Sequence, residues 1–255
     1  MVSISEAQLM AWVSPILWPF LRVLAVFTAA PVFSSRAFPL RAKIGLAFLI
    51  ALAAQASMPN QPVIDLNGPQ AVGAVAQQVG IGLCIGFAVR LVFSAFELAG
   101  QVVGFQMGLG FAAFFDPASS AQSSAMGRFY ANMAALLFLA VNGHLMVIMA
   151  VVNSFEAFPV DQNLLEALST MQLHTLGAEL FASAFWIALP VVAMLMFANL
   201  ALGIVSRVAP QMNIYAIGFP VTLAVGLAGV AATLPLLDQP FSTLMEQMME
   251  LFAKR

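Results

Sequence analysis

Three ionisable side chains, Arg22, Arg90 and Glu97, lie inside runs that are otherwise apolar. Burying such a group in a membrane costs at least about 2.5 kcal/mol on insertion scales, so it faces protein or water rather than lipid. Arg90 and Glu97 are seven residues apart, which places them on one helix face but about 10 Å apart along its axis. They meet only through long side chains, a water or a third group. Two readings follow: the lining of an aqueous path or proton relay, or a structural ion pair that joins helices or subunits. Arg22, in the run Trp18-Pro19-Phe20-Leu21-Arg22, either snorkels or pairs with a partner.

Other groups offer little chemistry. His144 and His174 are far apart, and neither belongs to an H-x-x-x-H pair. Asp116 precedes Pro117 and reads as a turn former, with no second aspartate at similar depth. There is no G-x-S-x-G elbow, no phosphate loop and no cysteine–histidine pair. Cys84, the single cysteine, sits in an apolar run as a small hydrophobe. The sequence therefore reads as a non-enzyme, with no catalytic, cofactor-binding or metal-ligating set.

These side chains must be carried by membrane elements. Of the 255 residues, 62% are hydrophobic and 8% charged, against about one quarter charged in an average soluble domain. Mean hydropathy is +0.97. The net charge of -2, with no basic block, argues against nucleic acid as a partner. The first apolar segment leads into a second without a basic n-region, unlike a cleavable signal peptide. Apolar runs near 10–33, 42–58, 71–95, 129–153, 180–205 and 214–237 predict an all-α membrane protein of about six hydrophobic helical segments. Basic residues Arg36, Arg41, Lys43, Arg128 and Arg207 gather on one side, so the positive-inside rule places both termini outside the cytoplasm.

The third segment is the anomaly. No proline interrupts Gln70–Phe115, so one helix could run almost twice the thickness of a hydrocarbon core. Gly82 and Gly86, then Gly100, Gly104 and Gly108, recur every four residues and offer a close-approach ridge, either to other subunits or within this chain. Gly108 and Gly110 loosen the segment, Phe111, Phe114 and Phe115 crowd it, and Asp116-Pro117 stops it. Residues 163–172 could form a short surface helix. In the tail, Phe241, Leu244, Met245, Met248 and Phe252 share one face, suited to a membrane surface or a partner.

Taken together, these residues resemble the FliR/SctT family of type III secretion export-gate proteins, in its flagellar branch. The likeness covers essentially the whole chain. It rests on Glu97-x-x-Gly100-x-x-x-Gly104-x-Gln106-Met107-Gly108-Leu109 followed by Asp116-Pro117, and on Asn142-Gly143-His144. Arg207-Val208-Ala209-Pro210-Gln211-Met212-Asn213, Gly218-Phe219-Pro220 and the Pro31 to Arg41 connection complete it. The resemblance implies a single domain with a FliP-like part over about 1–179, a FliQ-like helical hairpin over about 180–237 and an amphipathic tail over 238–255. It implies a helical, pore-forming hetero-oligomer with FliP and FliQ, with FlhB and FlhA nearby, in the bacterial inner membrane within the flagellar basal body. Unfolded flagellar export substrates would pass through it.

The same resemblance distributes the roles. Gly108, Gly110, Phe111, Phe114, Phe115, Asp116 and Pro117 would form a movable pore plug. Arg90, Glu97, Gly100, Gln101, Gly104 and Gln106 would form an assembly face. Arg207, Pro210, Gln211, Met212 and Asn213 would turn the hairpin. The competing reading is a small-solute membrane transporter that uses Arg90 and Glu97.

Overall fold

The computed structural model describes residues 6–36, 38–57, 69–111, 124–160, 164–171, 173–211 and 213–253, and these contain no strand. In chain order the helices are α1 (Glu6–Ala29), α2 (Pro31–Ser34), α3 (Leu40–Ser57), α4 (Pro69–Gln106), α5 (Ala125–Ala140), α6 (Gly143–Ala157), α7 (Leu164–Thr170), α8 (Leu173–Val208), α9 (Ile214–Thr233) and α10 (Asp238–Glu250). Short 3-10 turns occupy Leu109–Phe111 and Leu234–Leu236. The chain is an all-α membrane protein.

Helix ends follow local chemistry. Pro69 opens α4, where its missing N–H costs nothing. With no proline until Pro117, α4 continues for 38 residues, about 57 Å. It ends where Gly108 takes φ +83, a left-handed conformation that glycine reaches without a Cβ penalty. Ser124 caps α5 by accepting a hydrogen bond from the Gly127 N–H at 3.0 Å, and Asn213 caps α9 through the Ala216 N–H at 3.4 Å. Asn142, at φ 56, breaks the run between α5 and α6. Asparagine tolerates that region better than most residues.

Among the described residues, four stretches are long and apolar enough to cross a membrane: Trp12–Ala29, Gln70–Gln106, Thr175–Val208 and Ala216–Leu236. The broken pair α5 and α6 makes a fifth if counted as one span. The second expected run is carried by α3, whose 18 residues rise about 27 Å, just under the thickness of a hydrocarbon core.

The chain divides into two compact units. The first comprises Met1–Leu91, Asn142–Leu176 and Met245–Arg255. Its core is built on α1 against α3 and the first half of α4, with Trp18, Phe27, Ala47, Ala51, Ile81 and Ile85 buried. Phe27 stacks on Phe33 at 4.5 Å between centroids. Gly82 and Gly86 admit the backbone of α1 at Arg22 and Val26 and of Ala30 just after it. Lipid tails are as apolar as leucine, so such close packing, rather than removal from water, joins helices inside a bilayer.

The second unit comprises Val92–Val141 and Gly177–Leu244. Gly100 and Gly104 meet Met126 and Tyr130 of α5, while Gly127 of α5 meets Gln101. α8 and α9 run antiparallel: Gly229 faces Met194 and Val191, and Gly218 approaches Leu202 nearer the turn. Phe241 packs on Phe93 and Phe96, with centroids 6.3 and 5.4 Å away.

The amphipathic tail has a definite place. Phe241, Leu244, Met245, Met248 and Phe252 are all buried. The chain itself covers the face that sequence assigned to a membrane surface or a partner.

Candidate functional site

The functional question centres on the end of α4. Met107 still closes the helix, its N–H donating to the Val103 carbonyl at 2.9 Å. Its side chain is fully buried and fills the space over Gly226 of α9, where a Cβ would collide with Met107 Cγ, Sδ and Cε. Its carbonyl, one of the orphan acceptors at a helix end, accepts from Thr222 Oγ1 at 3.3 Å. The hydroxyl also reaches the Phe219 carbonyl at 3.1 Å. α4 is therefore pinned to α9 one residue before Gly108.

Beyond the pin, Gly108 takes the left-handed conformation at φ +83. Gly108 lies under the Phe219 ring, and Gly110 lies against the Phe105 ring. Leu109–Phe111 form a single 3-10 turn. A cavity of about 700 Å³ opens beside this turn. Phe105, Gln106 and Gly108 form one wall, with α8 (Asn199, Leu202, Gly203, Ser206) and α9 (Gly218, Phe219, Thr222) forming the others. Of the expected plug, Gly108, Gly110 and the backbone of Phe111 fall within the described residues, whereas Phe114, Phe115, Asp116 and Pro117 lie outside them.

The expected assembly face separates. Gly100 and Gly104 are buried against α5 of this same chain, so the ladder here serves packing within it. Glu97 is half-buried and accepts from Gln101 Nε2 at 3.4 Å, a long contact one helical turn away. Arg90 is exposed and has no hydrogen-bond or ion-pair partner among the described residues. Gln106 faces the cavity. In the hairpin turn, Arg207 closes α8, where a cation suits the helix dipole, and Pro210, Gln211 and Asn213 are exposed; Met212 lies outside the described residues.

The third intramembrane charge does not snorkel; it finds its partners inside the chain. Arg22 is fully buried. Its Nε donates to Gln78 Oε1 at 2.8 Å, Nη1 to Ser154 Oγ at 2.8 Å and Nη2 to the Phe158 carbonyl at 2.9 Å. The guanidinium lies 3.6 Å from the centroid of the Phe155 ring. Gln78 in turn donates to Gln77 Oε1 at 3.1 Å, and Gln77 to the Pro159 carbonyl at 3.0 Å. All these acceptors are neutral, so the cation is solvated by dipoles inside the first unit. The polar residues Gln77 and Gln78 were visible in sequence; their convergence on Arg22 was not. His144 Nδ1 is buried without a hydrogen-bond partner among the described residues.

This helical membrane chain, with α4 ending at a left-handed glycine, has relatives among known proteins. Residues 13–248 match the family model of bacterial export proteins, family 1. The chain is 39% identical over 239 residues to the flagellar biosynthetic protein FliR of Escherichia coli (strain K12), covering 93% of this chain and 90% of that one. It is 37% identical over 255 residues to FliR of Pectobacterium carotovorum, covering 99% and 97%, and 33% identical over 209 residues to FliR of Bacillus subtilis, covering 81% and 80%. The chain belongs to the bacterial export proteins, family 1.

Proposed function

We propose that the chain is the FliR-type subunit of the flagellar type III protein export gate, and that it lines and plugs the protein-conducting pore. The observation that carries this reading is the root of the stopper: α4 is pinned through Met107 to Thr222 and Gly226, and the next residue is a left-handed glycine. A left-handed glycine directly after a fixed helix end is a backbone position at which a chain can change direction at little cost. Phe111, Phe114 and Phe115 obstruct the pore, Asp116-Pro117 closes the segment, and an entering unfolded flagellar protein displaces it. The gate partners are FliP and FliQ, with FlhB and FlhA close by, in the bacterial inner membrane within the flagellar basal body. Residues 1–179 supply the FliP-like part and 180–237 the FliQ-like hairpin, turned by Arg207 and Pro210–Asn213. The chain contributes no catalysis; it has no nucleotide-binding motif, and the driving force is supplied by other components.

A small-solute transporter built on Arg90 and Glu97 draws no support, since Arg90 is exposed and Glu97 is engaged by Gln101. The test is deletion of 106–122 in the native cell, with flagellar protein export and membrane sealing measured together. Loss of either agrees with a stopper. Export and sealing both unchanged, with the protein at its normal level, would reduce the chain to a scaffold.

A further inference from the structure

Within the first unit, α3 sorts charge and apolar surface along its axis. Ala47, Ile50 and Ala54 are buried, and the helix packs against α1. The opposite side is uncovered: Arg41, Ile44, Gly45, Phe48, Leu49 and Leu52 are exposed. With 3.6 residues per turn they fall within an arc of about 140°, Arg41 near its middle. A Cβ added at Gly45 would meet nothing within 4 Å, so the face is open between Arg41 and Phe48. Arg36 stands exposed just before the helix. Its turn is closed by the Phe38 N–H, which donates to the Ser35 carbonyl at 3.2 Å, and by the Phe38 ring edge-on to Phe33, with centroids 6.4 Å apart. Lys43 is half-buried at the same end. No Asp or Glu occurs between Pro31 and Ser57. Among the described residues none of these three cations has a side-chain hydrogen bond or ion pair.

We propose that this face binds one anionic phospholipid, its phosphate paired with Arg41, Arg36 and Lys43 and an acyl chain laid over Gly45 towards Leu52. A guanidinium fork takes two phosphate oxygens at once, and basic residues at headgroup level draw acidic lipid to them. Charge and length together select this occupant. The cations stand at one end only, and from Arg41 to Leu52 the helix rises about 17 Å, close to the roughly 15 Å of half a hydrocarbon layer. A phospholipid has the same plan, a charged head and a chain one leaflet long. A protein helix answering three cations would need several carboxylates at one level of its own apolar stretch, each costly to insert. A second copy docked by the same face would set arginine against arginine.

The test places the purified full chain in nanodiscs of equal parts phosphatidylglycerol and phosphatidylcholine, then reads the lipid it retains by native mass spectrometry. Phosphatidylglycerol should be retained about tenfold over phosphatidylcholine. Arg36→Gln, Arg41→Gln and Lys43→Gln together should abolish the preference, whereas Arg36→Lys with Arg41→Lys should keep most of it. Arg41→Gln alone removes one exposed side chain and should lower the preference about threefold; it decides the matter where the triple variant fails to insert. Equal retention of the two lipids, or a preference untouched by these glutamine substitutions, would overturn the proposal. Displacement by inorganic phosphate would make this a site for the free anion and overturn the lipid. In the native cell, a benzoylphenylalanine photo-cross-linker at Leu49 should form an adduct of phospholipid mass. Adducts with protein alone would show that a subunit or another copy covers the face instead.

Discussion

Arg22 shows how a charge is kept inside an apolar fold without a counter-ion. Three neutral acceptors and one aromatic face replace the water it loses. Hydrogen bonds to a charged group contribute about 1.5–3 kcal/mol each, and removing the donor leaves buried acceptors unsatisfied. Arg22→Met should therefore destabilise the protein by about 3 kcal/mol or more in detergent unfolding. Arg22→Lys should rescue little, since one ammonium cannot span three acceptors held by a fork. A loss below about 0.5 kcal/mol would show that the network is dispensable. The sequence displayed the arginine, but its partners lie 56, 132 and 136 residues away and no periodicity joins them. Met107 and Gly226 form the second residue-scale lock. Gly226→Ala should cost about 1–3 kcal/mol by overpacking, and Met107→Ala in the same chain should relieve part of that cost. Simple additivity in the double-mutant cycle would mean that the two do not touch.

At the scale of the element, α4 was the most legible part of the molecule. A run without proline from Gln70 announced a helix of exceptional length, whereas its end was expected at Asp116-Pro117 and falls at Gln106, just before the left-handed Gly108. The helix at Leu164–Thr170 and the apolar face of α10 were legible as well, because each rests on local composition or periodicity. What covers a face was not legible. Gly100 and Gly104 are taken up by α5, and the apolar face of α10 is buried. Both outcomes depend on contacts distant in sequence. Two glycines separate these roles experimentally. Gly100→Val places a side chain into the Met126 backbone and should sharply lower the membrane level of the protein. Gly177→Ala meets nothing within 4 Å and should be neutral or stabilising by up to about 1 kcal/mol. Equal levels for the two variants would contradict the packing described for the second unit. At the hinge, Gly108→Ala at φ +83 should cost about 1–2 kcal/mol and slow export while the chain still enters the membrane.

At the scale of the whole molecule, composition alone identified a helical membrane protein, and the count of spans was where sequence and structure differed in detail. Asn142 breaks one expected run through a single left-handed residue, a feature that an apolar window of 25 residues over 129–153 does not register. The gate reading assigns the long polar-flecked helix to protein neighbours rather than to lipid, which suits an apolar α4 that carries Arg90 just past its midpoint and Glu97 in its last third. Its central claim is that the segment rooted at Gly108 seals a pore. The direct measurement is ion conductance across membranes containing the assembled complex, with Gly110, Phe111 and Phe115 each changed to serine. The stopper account predicts normal assembly with a leak of small ions that the unaltered complex does not show. Normal assembly with conductance equal to that of the unaltered complex would contradict it.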